Sequence, residues 1–148
     1  MKIVLQRVKN ASVSVDDRVV GSINKGVCLL VGIEKGDLES QADYLAKKII
    51  ELRIFPDPDD RMNLSLLDIH GEVLAISQFT LAGSIKKGRR PSFDKAEEPD
   101  RAQALFDYFV DRIKESGVKV ATGQFAAMMK VSLVNDGPVT FVLNAPNL

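Results

Sequence analysis

The sequence predicts a single α+β domain, an antiparallel β-sheet carrying two amphipathic helices. Three observations predict it. The opening third alternates short apolar and polar runs, two later segments set apolar residues at helical spacing, and two strand-like runs close the chain. At 148 residues there is room for one core, with roughly 68 to 70% of the unfolded surface buried on folding.

Ile3 to Val8 reads as the first strand, and Ser12-Val13-Ser14-Val15 alternates as a half-buried strand should. Asp16-Asp17 is a hairpin turn into Arg18 to Ile23, and Val27 to Ile33 follows as a buried strand. From Ser40 to Ile54 the pattern changes: Leu45, Ile49 and Leu52 share one helical face, with Asp37 or Ser40 as the N-cap. That helix is expected to pack on the sheet. Pro56-Asp57-Pro58-Asp59-Asp60 is a loop, because prolines lack a donor and aspartates favour turns. Its carboxylates raise the question of a cation, but a hard cation needs more oxygen ligands in a fixed array, so a solvated turn is expected.

Glu72 to Leu81 reads as a strand ending in Ser77-Gln78-Phe79-Thr80-Leu81, which offers hydroxyl, amide and aromatic groups at one place. The densest basic stretch, Lys86-Lys87-Gly88-Arg89-Arg90-Pro91, is a loop. The second helix runs from Pro99 to Ser116 with Ala102, Leu105, Phe106, Phe109 and Ile113 as one stripe and Gly117 at the C-cap. Met128 to Val134 and Val139 to Leu143 are strand-like runs joined by an Asn135-Asp136-Gly137-Pro138 turn.

Twenty basic and 20 acidic residues give zero net charge, which argues against coating nucleic acid or membrane by bulk electrostatics but permits a local basic patch. The single cysteine, Cys28, sits in an apolar run and is expected as a buried thiol, in keeping with a reducing cytoplasm. The first residues lack the apolar core of a signal peptide, and no run of about 18 apolar residues suggests a membrane span.

His70 is the only histidine and lies in what reads as a hairpin turn, where an exposed side chain needs no role. A zinc site is poorly supported without a neighbouring ligand, and no Gly-x-Ser-x-Gly elbow, phosphate-binding glycine loop or dinucleotide fingerprint occurs. Neither a metal nor a nucleotide cofactor is expected. Thr80 has two readings: a nucleophile, for which no neighbour in sequence supplies a base, or a threonine satisfied within its strand. A strand end can also offer backbone N–H groups to an ester carbonyl as an oxyanion hole. Lys86, Lys87, Arg89 and Arg90 read equally as phosphate ligands or as a solvated loop. The isomer of Gly137-Pro138 is not legible, since most such bonds are trans.

Taken together, the segments resemble the bacterial D-aminoacyl-tRNA deacylases, from Met1 to about Leu143. The resemblance rests on Val4-Leu5-Gln6-Arg7-Val8, Leu52-Arg53-Ile54-Phe55, Met62-Asn63-Leu64-Ser65, Ser77-Gln78-Phe79-Thr80-Leu81, Lys87-Gly88-Arg89-Arg90-Pro91-Ser92-Phe93 and Asn135-Asp136-Gly137-Pro138-Val139-Thr140. Phe125-Ala126-Ala127 departs from the usual Phe-Gly-Ala, and Ala82-Gly83-Ser84 stands where an aromatic is common.

The resemblance implies a barrel-like core, one domain over residues 1–148, and hydrolysis of the ester of D-aminoacyl-tRNA without a cofactor. It implies a homodimer in which Gly137-Pro138, as a cis peptide, enters the partner's pocket and excludes L side chains, so that glycyl-tRNA slips through. Ser77, Gln78, Phe79 and Thr80 then form the catalytic corner, with Arg7 and Asn135 belonging to the Gly-Pro region. Phe125 and Met129 line the adenosine pocket, and Lys86, Lys87, Arg89 and Arg90 meet tRNA phosphates. DNA and membrane partners are not implied. Two rivals remain: a non-catalytic dimer that binds RNA ends, and a hydrolase of free D-amino-acid esters or peptides.

Overall fold

The computed structural model describes residues 1–147. In chain order the elements are β1 (Lys2–Val15), β2 (Arg18–Ile23), β3 (Gly26–Gly32), α1 (Glu39–Glu51), the short β4 (Phe55–Pro56) and β5 (Met62–Leu64), β6 (Glu72–Ser77), a 3-10 turn (Phe79–Ala82), α2 (Pro99–Lys114), β7 (Val120–Thr122) and β8 (Lys130–Asn144). The two opening strands expected from the sequence are one continuous strand. One edge of β1 pairs with β3 over Lys2 to Val8 and then with β2 over Ala11 to Val15, while its other edge pairs with β8 from Lys2 to Ser14. Asp16 and Asp17 have positive φ (49° and 60°), as a primed two-residue hairpin turn requires.

The expected barrel-like core with two helices is present, but its antiparallel description needs correcting. β1 is antiparallel to β2, β3 and β8, whereas β3 to β6 and β6 to β7 are parallel. Each parallel pair is joined through a helix, α1 in the first case and α2 in the second, because a strand can return in the same direction only by a long crossover. The outer strands β2 and β7 then approach each other and nearly close the sheet. Gly21 permits this: a Cβ there would lie 2.5 Å from the Thr122 carbonyl oxygen.

The central strands are buried on both faces, which explains why Val27 to Ile33 reads as an unbroken apolar run. Ile3, Leu5, Val27, Leu29, Val31, Val73 and Ala75 face the helices, packing on Leu45, Ile49, Phe106, Phe109 and Ile113. Val8, Ala11, Val13, Cys28, Leu74 and Ile76 fill the inside of the curved sheet. Burial pushes the Cys28 thiol up to about 11, so it stays protonated and unreactive at neutral pH.

Several boundaries differ from expectation. α1 is capped at Leu38, not at Asp37 or Ser40: the Gln41 side chain reaches back to the Leu38 N–H (2.6 Å), and Asp37 instead accepts from the Glu34 N–H (2.7 Å). α2 ends at Lys114, and Gly117 (φ 89°) follows three residues on. Asp57 organises its loop as a solvated turn would, accepting from the N–H groups of Asp59 and Arg61 and from Asn63. His70 (φ 51°) is exposed in the turn before β6, not in a hairpin, since β5 and β6 belong to different sheets. The Asn135 to Pro138 segment is not a turn between two strands either; β8 runs straight through it. Among the described residues no helix is long and apolar enough to cross a membrane.

Glu72, at the start of β6, joins three elements: Oε1 accepts from the Asn24 N–H (2.8 Å), and Oε2 pairs with Lys119 (2.9 Å). The Asn24 hydrogen bond first, and then Lys119, hold its carboxyl below the ordinary value of 4.5. The folded protein therefore binds this proton less readily than the unfolded chain. The stability that Glu72 contributes is present above about pH 4.5 and is lost as the pH falls through the lower folded value. Urea-unfolding midpoints should fall more steeply below about pH 4.5 in the wild type than in Glu72→Gln; parallel curves would assign the acid sensitivity to other carboxylates.

Candidate active site

The strand expected to reach Leu81 stops at Ser77. The Gln78 N–H still donates to the Val31 carbonyl (2.8 Å), then the chain leaves the sheet and winds into the 3-10 turn, closed by Leu81 N–H to Gln78 (3.2 Å) and Gly83 N–H to Thr80 (2.9 Å). The first N–H groups of such a turn, here those of Phe79 and Thr80, have no acceptor within it. Gln78 donates its side-chain amide to Thr80 Oγ1. An amide is no base, so this contact orients the hydroxyl without activating it. Phe79 is 57% exposed, and its ring packs on Phe93 with centroids 5.0 Å apart.

Beside this corner lies a cavity of about 440 Å³. Ser77, Gln78 and Phe79 form one part of its wall, and Phe125, Ala126, Ala127, Met128 and Met129 another. Phe125 is anchored against Phe106 of α2, with centroids 6.5 Å apart. Met129 can fold inward because Gly123 has no side chain; a Cβ there would lie 2.4 Å from the Met129 sulfur. The start of α2 completes the wall with Glu97, Pro99 and Ala102. Sequence reading gives no sign that Glu97, Ile33, Ile76 and Val131 share this wall, and it places Pro99 and Ala102 only as parts of the second helix. Thr80 is exposed beside the cavity and is not part of its wall.

Gly137 and Pro138 are elsewhere, exposed on β8 and absent from the cavity wall; their peptide bond is cis. Asn135 pairs with Val8 and Thr140 with Gln6, so two steps along β1 match five along β8 and the residues between are pushed out of the ladder. Side chains hold the protrusion. Arg7 donates Nε to the Asp136 carbonyl (2.9 Å) and Nη1 to that of Ile54 (2.7 Å), while Asn135 Oδ1 accepts from the Val139 N–H (2.9 Å) across the Gly-Pro pair.

Lys86, Lys87, Arg89 and Arg90 are all exposed on a loop whose base is pinned by paired Ser84 and Ser92 backbone bonds (2.7 and 2.9 Å). None of the four enters an ion pair among the described residues. Phe93 follows the loop and packs against Phe79, which ties the base of the basic loop to the 3-10 turn. No group of three or more His, Cys, Asp or Glu side chains that could hold a metal gathers among the described residues.

A sequence model of the family described as D-Tyr-tRNA(Tyr) deacylase matches residues 4–144. The chain belongs to that family. It is therefore an enzyme, a deacylase that hydrolyses an ester. It is 60% identical over 146 residues to the D-aminoacyl-tRNA deacylase of Geotalea uraniireducens (strain Rf4), covering 99% of this chain and 94% of the relative. The Persephonella marina (strain DSM 14350 / EX-H1) D-aminoacyl-tRNA deacylase is 58% identical, with 98% of each chain covered. Among solved structures, a c-Myc DNA unwinding element binding protein superposes with a TM-score of 0.93 at 34% identity, over 99% of this chain and 100% of that one. A probable eukaryotic D-amino acid tRNA deacylase shares the fold, with a TM-score of 0.83 at 18% identity over 96% and 97%.

The geometry shows what the departure at Ala126 costs, and what a return to glycine would gain. Its φ is 62°, the left-handed region in which glycine is at ease and a Cβ costs roughly 1–2 kcal/mol. Part of that gain is offset by glycine's greater freedom in the unfolded chain. In this deacylase, Ala126→Gly should raise stability by about 0.5–1 kcal/mol, read as a melting temperature about 1–4 °C higher; an unchanged or lower value would refute strain at this residue.

Proposed function

We propose that the chain edits by chirality, hydrolysing the ester that joins a D-amino acid to the terminal adenosine of tRNA while sparing the L ester. The observation that carries this reading is a separation: Ser77 to Phe79 meet Phe125 and Met129 around one cavity, while Gly137 and Pro138 project from another edge of the same chain. A second copy would bring the two together. In such a homodimer the Gly137 and Pro138 carbonyls receive the α-amino group, and an L side chain would have to occupy the space they fill. Arg7 and Asn135 keep the protrusion rigid enough for that role.

Exclusion suits the task. Attraction to a side chain separates near-isosteres by only about 1–3 kcal/mol, whereas a rigid clash rejects one enantiomer whatever its side chain. Glycine has no side chain to exclude, so glycyl-tRNA is a second substrate. With Phe125 and Met129 against the adenosine, the ester carbonyl lies toward the N–H groups of Phe79 and Thr80, which stabilise the developing oxyanion; one such donor is worth roughly 2.7–4 kcal/mol. Water is the acceptor, assisted by the neighbouring 2′-hydroxyl of the ribose. The Gln78 contact to Thr80 favours this account over attack by the Thr80 hydroxyl, which has an amide and no base beside it. The basic loop holds acceptor-stem phosphates, and the reaction takes place in the cytoplasm without a cofactor.

With matched D- and L-tyrosyl-tRNA, the wild type should cleave the D ester alone, before and after chelator treatment, and Pro138→Ala should begin to cleave the L ester. Binding of both tRNAs with hydrolysis of neither would favour an RNA-end binding module. Thr80→Val should keep turnover within about tenfold, since the backbone donors remain; full loss with binding intact would move the chemistry to the threonine hydroxyl. Replacing Lys86, Lys87, Arg89 and Arg90 together by alanine should flatten the salt dependence of tRNA binding by about 0.7–0.9 in slope for each phosphate that is no longer neutralised. A wild-type slope would remove the loop from the interface.

A further inference from the structure

We propose that Glu97 reads the base of the bound nucleoside by accepting a hydrogen bond from the exocyclic amine of adenine. This rests on the cavity being the seat of the terminal adenosine. Glu97 is the charged residue in a wall otherwise built from apolar side chains and the polar Ser77 and Gln78. Its side chain is 7% exposed, while that of its partner Arg101, 3.3 Å away at Oε2, is 60% exposed and reaches into solvent. The other oxygen, Oε1, accepts from the Glu98 N–H at 2.9 Å. Hydrogen-bonding partners on both oxygens keep the carboxylate in place.

A carboxylate has about four acceptor positions, so each oxygen retains capacity for a further donor. The cavity that Glu97 lines is open to solvent. A base that fills the cavity removes that solvent, and a carboxylate left without a new donor is then costly to bury. An amine on the edge of the base replaces the hydrogen bond from water, a bare C–H edge does not, and a carbonyl oxygen meets the carboxylate with like charge. Phe125 and Met129 hold any flat ring and discriminate little, so the selection falls to Glu97. The substrate's other donors, the α-amino group and the 2′-hydroxyl, already have partners in the proposed complex, which leaves the base amine.

The test uses a non-hydrolysable probe, 3′-deoxy-3′-(D-tyrosylamino)adenosine, and its purine and hypoxanthine counterparts, titrated calorimetrically against the wild type and Glu97→Gln. The wild type should bind the adenine probe roughly 10- to 100-fold more tightly than the purine probe, the range for a hydrogen bond to a charged group. Glu97→Gln should lose most of that preference and gain affinity for the hypoxanthine probe, because its amide can donate to the carbonyl. Equal binding of adenine and purine probes by the wild type, or an unchanged preference in the variant, would overturn the role of Glu97 while leaving the cavity as the nucleoside site. Failure of every probe to compete with D-tyrosyl-tRNA would instead overturn the seat itself, and the assignment with it.

Discussion

The mismatch between β1 and β8 is the constraint around which the rest is arranged. Between the Gln6–Thr140 and Val8–Asn135 pairs the ladder cannot close, because β8 carries residues that β1 has no positions to match. A proline is tolerated there for the same reason: it has no N–H to contribute, and a bulge asks for none. Arg7 stands opposite the gap, and its guanidinium takes over from the missing ladder bonds by reaching the Asp136 and Ile54 carbonyls. One side chain thus ties the protrusion to the link between α1 and β4, so Gly137 and Pro138 are carried by the sheet and not by a free loop.

The corner at Ser77 to Thr80 depends on the other half of the sheet. β6 is parallel to both neighbours, so the chain leaves its C-terminal end at Ser77 with no hairpin partner to follow. The 3-10 turn that results presents backbone donors, and the crossover through α2 brings Glu97, Pro99 and Ala102 over the same place. The strength of this scaffold comes from burial. Side chains such as Leu5, Leu29, Phe109 and Ile113 are fully enclosed, each worth roughly 1.5–3 kcal/mol, against about 1 kcal/mol net for a typical hydrogen bond near the surface. The polar contacts at Arg7, Asn135 and Gln78 therefore orient groups on a frame that the core holds rigid.

Much of this was legible along the chain. Helical spacing of Leu45 with Ile49, and of Leu105 with Phe109 and Ile113, marks both helices, and the Asp16-Asp17 turn follows from residues that accept positive φ. Ser77 to Thr80 could be singled out because they form one short contiguous motif, whereas Phe125 and Met129 were named only through the family resemblance. The direction of β6 and β7 was harder to read, since a buried strand looks the same whether its neighbour is parallel or antiparallel. The helices on either side of β6 carried that signal. Glu97 was not legible at all: a glutamate one residue from another glutamate, before a helix, reads as an ordinary acidic first turn.

By itself, then, the sequence determined which segments are strands and helices and which faces are apolar, because these depend on period and on local backbone preference, and its short motifs carried the family resemblance. The tertiary structure alone decided how those pieces face one another. It made one strand of two at β1, ended β6 early, lifted Gly137 and Pro138 out of the β1–β8 ladder, and brought Glu97 to the wall that holds Phe125. Register and crossover direction are set by pairing between residues far apart in the chain, and no local window of sequence contains both partners.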